Sequence, residues 1–229
     1  MISKFTKLAL VVASLLFSCT SVERDNPHDS GGINYIGDND IANYKTVQIG
    51  EQVWMAENLN YAVRGSKCLS EYGDETDATT AFCYNYGRLY SWATAMKLPD
   101  SCNNNSCKSQ ISEKHKGICP KDWHIPSKAD WDKLLRYVDP VSWPYKSKTA
   151  GGYLKSTRGW EKACYNGTNG TDDYGFSALF GQGYNSGYLS SSESDRLNAV
   201  YLMIECNGNS ADDSTINKSN LFSVRCLKD

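Results

Sequence analysis

The sequence predicts an α+β domain with a small antiparallel sheet, stapled by disulfides. Three observations predict it. Alternating strands open and close the region 45–229, and two amphipathic helical patterns lie between them. Nine cysteines occur in 229 residues. Residues 141–196 are rich in Gly, Asn, Ser and Tyr and poor in aliphatic runs, a stretch that a compact domain tolerates when it is crosslinked or has a task.

The elements follow in chain order. In "KTVQIGEQVWMAENLN", Val47 and Ile49 alternate with Thr46 and Gln48, Gly50-Glu51 suits a two-residue turn with glycine first, and Val53 and Met55 continue the alternation. This is a hairpin signal. In "CYNYGRLYSWATAMKLP", Leu89, Trp92, Ala93 and Met96 share one helical face and Pro99 lies past the end. In "GICPKDWHIPSKADWDKLLRYV", Ser127 is placed to cap a second helix, with Asp130 three residues on as a shorter relative of the capping box. Trp131, Leu134, Leu135 and Val138 then repeat the helical spacing, and Pro126 blocks any earlier start. Two strands close the region: "AVYLMIEC" (199–206), apolar on both faces and therefore central, and "LFSVRCL" (221–227). The polar "NGNSADDSTINKSN" between them reads as a loop.

The N-terminus reads as an export signal. Lys4 and Lys7 precede an apolar run at 8–17, which is too short to cross a bilayer as a helix. "LFSC" resembles a bacterial lipobox, with Cys19 as the lipid acceptor and residues 1–18 as the signal peptide; Thr20 after it implies the outer membrane. Residues 19–44, rich in Asp, Asn, Gly and Ser, are expected to be a flexible tether. Without residues 1–18 the Lys and Arg count falls from 24 to 22 against 26 Asp and Glu, a formal charge of −4. No basic stripe remains to hold phosphates, which excludes nucleic acid as a partner.

Beyond Cys19, eight cysteines remain: Cys68, Cys83, Cys102, Cys107, Cys119, Cys164, Cys206 and Cys226. An even number in an exported chain is a disulfide framework, although eight cysteines allow 105 pairings. Zinc is disfavoured, since there is no C-x-x-C pair and only His28, His115 and His124 could add nitrogen ligands.

"VQIGEQVWMAENLNY", "YGRLYSWATAM", "GICPKDWHIPSKADWDKL", "NGTDDYGFSAL" and "FSVRCLKD" occur in this order over residues 46–229. They resemble the successive blocks of the Fibrobacter succinogenes major paralogous domain, whose members are typically exported proteins or lipoproteins. More loosely, "WHIPSKADWDKL" resembles the "RLPTEAEWE" element of formylglycine-generating enzymes. Both resemblances imply a C-type-lectin-like fold: two amphipathic helices against a small antiparallel sheet, a long loop region, and N- and C-terminal strands side by side. One departure is "LSSSE" at 189–193, where the family often has an aromatic "WSSTE". The resemblance also implies disulfides. Cys119 and Cys226 lie in shared blocks and are expected to pair; Cys102-x4-Cys107 suits a local bridge; Cys68 and Cys83 flank an insertion; Cys164 and Cys206 remain.

No catalytic set emerges. His124, between Trp123 and Ile125, has no recognisable nucleophile partner in sequence. The copper-binding cysteine pair of the formylglycine-generating enzymes cannot be placed here by motif. No "EPN", "QPD" or "WND" calcium motif occurs, and Asn169, Asp172 and Asp173 offer fewer oxygens than calcium takes. No metal and no cofactor are expected. The remaining signal is aromatic, 15 Tyr and six Trp. Trp54, Trp92, Trp123 and Trp131 fall on periodic elements and read as core, whereas Trp143, Tyr145, Tyr153, Trp160, Tyr165, Tyr184 and Tyr188 lie in the irregular half and form the candidate ligand surface. The expectation is an outer-membrane lipoprotein with a non-enzymatic domain that binds carbohydrate or a cell-surface protein. The alternatives are a formylglycine-generating-type oxidase and a purely structural envelope lipoprotein.

Overall fold

The hairpin at the start of the domain is built as its residues dictate. β1 (Thr46–Ile49) pairs antiparallel with β2 (Gln52–Met55) in the register Ile49↔Gln52, so Gly50-Glu51 is the turn. Gly50 has φ +60°, a conformation that costs a side-chain-bearing residue. This computed structural model describes residues 44–69, 75–76, 81–142, 146–162, 164–180 and 185–229. Residues 1–18, Cys19, the tether up to residue 43, and Trp143, Tyr145 and Tyr184 lie outside the described residues.

After the hairpin come the short strands β3 (Cys68–Leu69) and β4 (Glu75–Thr76), then α1 (Ala81–Tyr86) and α2 (Trp92–Met96). α2 starts three residues later than the apolar spacing predicts. Ser91 caps it, accepting from the Thr94 N–H, and Leu89 instead bridges to Lys67. Lys97 ends the helix in a left-handed conformation. β5 (Trp123–His124) and α3 (Lys128–Val138) follow. The α3 capping box is complete: Ser127 Oγ accepts from the Asp130 N–H, and the Asp130 carboxylate accepts from the Ser127 N–H at 2.8 Å. Trp131, Leu134, Leu135 and Val138 are its buried stripe.

The stretch 141–196 is less irregular than its composition suggests. It contains α4 (Ala150–Leu154) and the long strand β6 (Asn185–Glu193). β6 pairs with β7 (Asn198–Glu205), and β7 with β8 (Ala211–Asn217), which makes β7 the centre of a three-stranded antiparallel sheet. β8 corrects the reading of 207–220 as a loop. It is an edge strand with few buried side chains, so backbone pairing to β7 holds it and no apolar alternation marks it. The predicted strand 221–227 is also corrected, to β9 (Leu227–Lys228). Upstream of β9 the chain divides its backbone bonds among several segments: Phe222 pairs with Tyr90, Ser223 accepts from Leu189, and Val224 accepts from Leu59.

β9 lies between β2 and β5, giving the order β1-β2-β9-β5. That sheet separates two apolar cores. On one side Trp54 and Ile49 pack with α3, α4 and β7; on the other Met55 packs with Leu59, α2, Trp123 and Val224. Both faces of β2 are therefore covered, which explains why Trp54 and Met55 are both fully buried. Trp54 and Trp131 stack with ring centroids 4.6 Å apart, and Phe176 meets them edge-on.

Four disulfides close the structure: Cys68–Cys83, Cys102–Cys107, Cys119–Cys226 and Cys164–Cys206. These are the pairs the resemblance implied. The architecture is thus mixed, with short helices, small antiparallel sheets and four crosslinks. Among the described residues no helix is long and apolar enough to cross a membrane.

Candidate functional site

Three tyrosines from three different elements meet at the surface. Tyr137 comes from α3. Its neighbours Leu134, Leu135 and Val138 face the core, which turns Tyr137 outward, 54% exposed. Its ring lies over Gly50 in the β1–β2 turn, where a Cβ would come within 2.8 Å of it. Tyr153 comes from α4. This helix is pressed against the β7–β8 connection so closely that a Cβ on Gly151 would lie 2.4 Å from the Ser210 carbonyl oxygen, and Tyr153 remains half-buried at its outer side. Tyr174 comes from the loop after Asn169.

The order of that loop is local chemistry. Asp172 has φ +53°, and its carboxylate accepts from the Ser177 N–H at 2.6 Å and from the Ser177 hydroxyl. The Gly175 N–H donates to the Asp172 carbonyl, and the Thr171 N–H donates to Gly152 of α4. An aspartate turn of this kind fixes the direction of the next side chains. Tyr174 packs edge-to-face on Tyr137, centroids 6.0 Å apart at 70°, and on Tyr153 at 6.4 Å and 78°. Partial burial, with the nearby Tyr137 and Asp173, pushes the Tyr174 hydroxyl pKa up, so it remains a neutral donor. The result is a rigid shelf of apolar ring surface with phenol hydroxyls among its polar groups and the exposed carboxylate of Asp173 beside it.

α3 and α4 are locked to each other by a buried carboxylate. Asp139 accepts from the hydroxyls of Ser147 (2.6 Å) and Thr149 (2.8 Å) and from the Ser142 N–H. Burial works against its charge, but these donors outweigh it and bring its pKa down to about 2. The bridge is ionised at neutral pH and fixes the spacing between Tyr137 and Tyr153.

His124 sits elsewhere, on β5, and is 3% exposed. Its Nδ1 lies 2.7 Å from the Asp229 carboxylate and its Nε2 lies 3.6 Å from that of Asp130. Burial opposes its protonation, yet the hydrogen bonds and charges of Asp130 and Asp229 prevail and its pKa is raised. Nδ1 is hydrogen-bonded to Asp229 and Nε2 faces the Asp130 carboxylate at ion-pair distance, which links the start of α3 to Asp229. A groove of about 530 Å³ runs above this point, walled by Ser127, Ser191, Ser192 and Ile111 among others.

Residues 47–228 match the Fibrobacter succinogenes major domain. The chain belongs to that family. No curated protein and no solved structure matches it.

Within this Fibrobacter succinogenes major domain the aromatic set read from sequence divides. Tyr153 joins the shelf, and Tyr165 is 85% exposed on the turn after Cys164. Trp160 and Tyr188 are fully buried, which removes them from any ligand surface. Trp160 donates its indole N–H to the Ala178 carbonyl at 2.9 Å, and Tyr188 packs on Phe176 and Trp131 beneath the shelf. Tyr137 and Tyr174 were missed by the reading from sequence. The available signal for Tyr137 is a large aromatic at an α3 position outside the apolar stripe; for Tyr174 it is its place among the tyrosines of 141–196, in the block "NGTDDYGFSAL". The oxygens considered for calcium are partly engaged within the domain: Asn169 Oδ1 accepts from the Trp160 N–H at 3.0 Å, and Asp172 holds Ser177. Among the described residues no group of three or more His, Cys, Asp or Glu is placed to hold a metal.

Proposed function

We propose that this chain is an exported, lipid-anchored, non-enzymatic binding protein whose domain presents the Tyr137–Tyr153–Tyr174 shelf to carbohydrate. The observation that carries the reading is the shelf itself: three rings from separate elements, fixed edge-to-face, part exposed and backed by bonded turns. A sugar ring has apolar C–H faces and a rim of hydroxyls. It is suited to a surface of flat apolar rings whose tips donate and accept hydrogen bonds, and tyrosine offers this with little side-chain entropy to lose.

A C-type-lectin-like fold accords with the strand order. The sheet β1-β2-β9-β5 sets the opening hairpin beside the closing strand, with a long loop-rich excursion between them. The non-enzymatic part is supported by two facts. His124 is buried, with Nδ1 hydrogen-bonded to Asp229 and Nε2 facing Asp130 at 3.6 Å, and the eight cysteines from Cys68 to Cys226 are joined in four disulfides, leaving among them no thiol pair for a formylglycine-generating-type copper site. Export agrees with disulfides, which persist in oxidising compartments. The anchor rests on Cys19 in "LFSC".

Glycan-array binding of the purified domain tests the shelf. The wild type is expected to retain a defined set of glycans, and Tyr174→Ala to weaken binding at least tenfold, since losing one stacking ring removes on the order of 1.4 kcal/mol or more. Binding unaffected by Tyr174→Ala and Tyr137→Ala would rule the shelf out. No glycan binding at all, with capture of a cell-surface protein through the same tyrosines, would reassign the ligand; neither would leave a structural envelope lipoprotein. For the anchor, Cys19→Ala is expected to move the protein from the detergent phase to the aqueous phase, and unchanged partitioning would refute it.

A further inference from the structure

Among the described residues three cations are fully buried: Lys155, Lys218 and Arg225. Burying a charge is costly unless it is paired or well bonded. Lys218 has an acid, forming an ion pair with Glu193 that is equally enclosed. Arg225 spreads its charge over a planar group, bonded to Asn58, Phe176 and Ser177 and lying on the Phe176 ring. Lys155 has neither advantage. Its Nζ is surrounded by neutral oxygens: the carbonyls of Thr168 (2.7 Å), Gly208 (2.7 Å), Glu205 (3.3 Å) and Cys206 (3.5 Å), and the Thr168 hydroxyl (3.2 Å). The Trp160 ring lies 4.9 Å away and offers a π-face to the same charge. The Glu205 carboxylate acts on this charge through space, while its side chain bonds Lys146 at 2.6 Å.

A tetrahedral ammonium has three hydrogens to donate, yet five oxygens converge on this one. They come from two separate segments, 168 and 205–208, joined nearby by Cys164–Cys206. The backbone here is arranged around a point charge rather than around three directed bonds. A shell of carbonyls with one hydroxyl and an aromatic face is the environment of a weakly hydrated monovalent cation, as in the carbonyl rings that replace a potassium hydration shell. Calcium would require six to eight oxygens including carboxylates.

We propose that the shell around Lys155 Nζ is a monovalent-cation site which the chain fills with its own ammonium, and that it accepts a free potassium or ammonium ion when the lysine is removed. The lysine thereby makes the packing of 167–170 against 205–208 independent of dissolved ions. The site lies below two surface connections, with Thr168 exposed and Gly208 half-exposed, so an ion has a short route in. This inference does not depend on the tyrosine shelf, and its test reads stability rather than sugar binding.

The test is thermal unfolding of the intact disulfide-bonded domain, wild type and Lys155→Ala, in potassium, ammonium, lithium and choline chlorides at equal ionic strength. The variant is expected to unfold at least ~5 °C below wild type in choline, which a loss of this kind produces in a domain of this size. Potassium and ammonium are expected to recover part of that shift and lithium not, while the wild type unfolds alike in all four. Equal midpoints for the variant in all four salts would overturn the proposal, as would a variant no less stable than wild type. If Lys155→Ala does not refold in choline, refolding yield becomes the measurement: recovery in potassium or ammonium alone supports the site, and failure in every salt counts against it.

Discussion

His124 links protonation to stability. Its pKa in the folded protein is raised above the ordinary 6.5 because Asp130 and Asp229 outweigh the cost of burying its charge. A base with a raised folded pKa contributes stability that is fully present below the unfolded value and is lost as pH rises through the folded one. Urea midpoints of the wild type are therefore expected to fall above pH 6.5, and His124→Asn is expected to remove that slope while being less stable than wild type in mild acid. A wild-type profile parallel to that of the variant would show that the pair carries no such linkage. The structural position of His124 was legible from its neighbours, since Trp123 and Ile125 are apolar and both are buried. Its partners were only half so. Asp130 belongs to the cap of the helix that follows, but Asp229 is 105 residues away and no local spacing points to it.

At the scale of elements, legibility followed the source of each element's stability. α3 has a cap, a breaker before it and an apolar stripe, and all three can be read in eleven residues and their flanks. The β1–β2 hairpin has its glycine turn. β6 and β8 have no such marks. β6 is serine-rich, and at Gly187 it passes so close to Phe222 that a Cβ would lie 2.6 Å from the ring. β8 is polar. Both strands exist because β7 offers an apolar strand with two free edges, a reason that lies in another part of the chain. The shelf was hidden for the same reason. Tyr137 and Tyr153 are brought together by the Asp139 bridge between α3 and α4; composition points to Tyr153 but gives Trp160 and Tyr188 the same standing, and packing buries those two.

Across the whole molecule the sheet order and the crosslinks act together. Cys119 and Cys226 flank β5 and β9, and their bridge closes a separation of 107 residues. Loss of a native disulfide typically costs about 2–5 kcal/mol, and a loop this long belongs toward the upper end if unfolded-chain entropy dominates. Cys119→Ser/Cys226→Ser is expected to lose stability in that range by urea unfolding, with Cys102→Ser/Cys107→Ser, which opens a separation of five, losing less. The reverse order would show that native packing, rather than chain restriction, sets the effect. The placement of β9 has one more consequence. Leu227 pairs with both Trp54 and His124, so the four-stranded sheet cannot be completed until residue 227 has been synthesised. A growing chain on the ribosome keeps β2 and β5 unjoined until at least that moment, so this sheet forms after synthesis rather than during it.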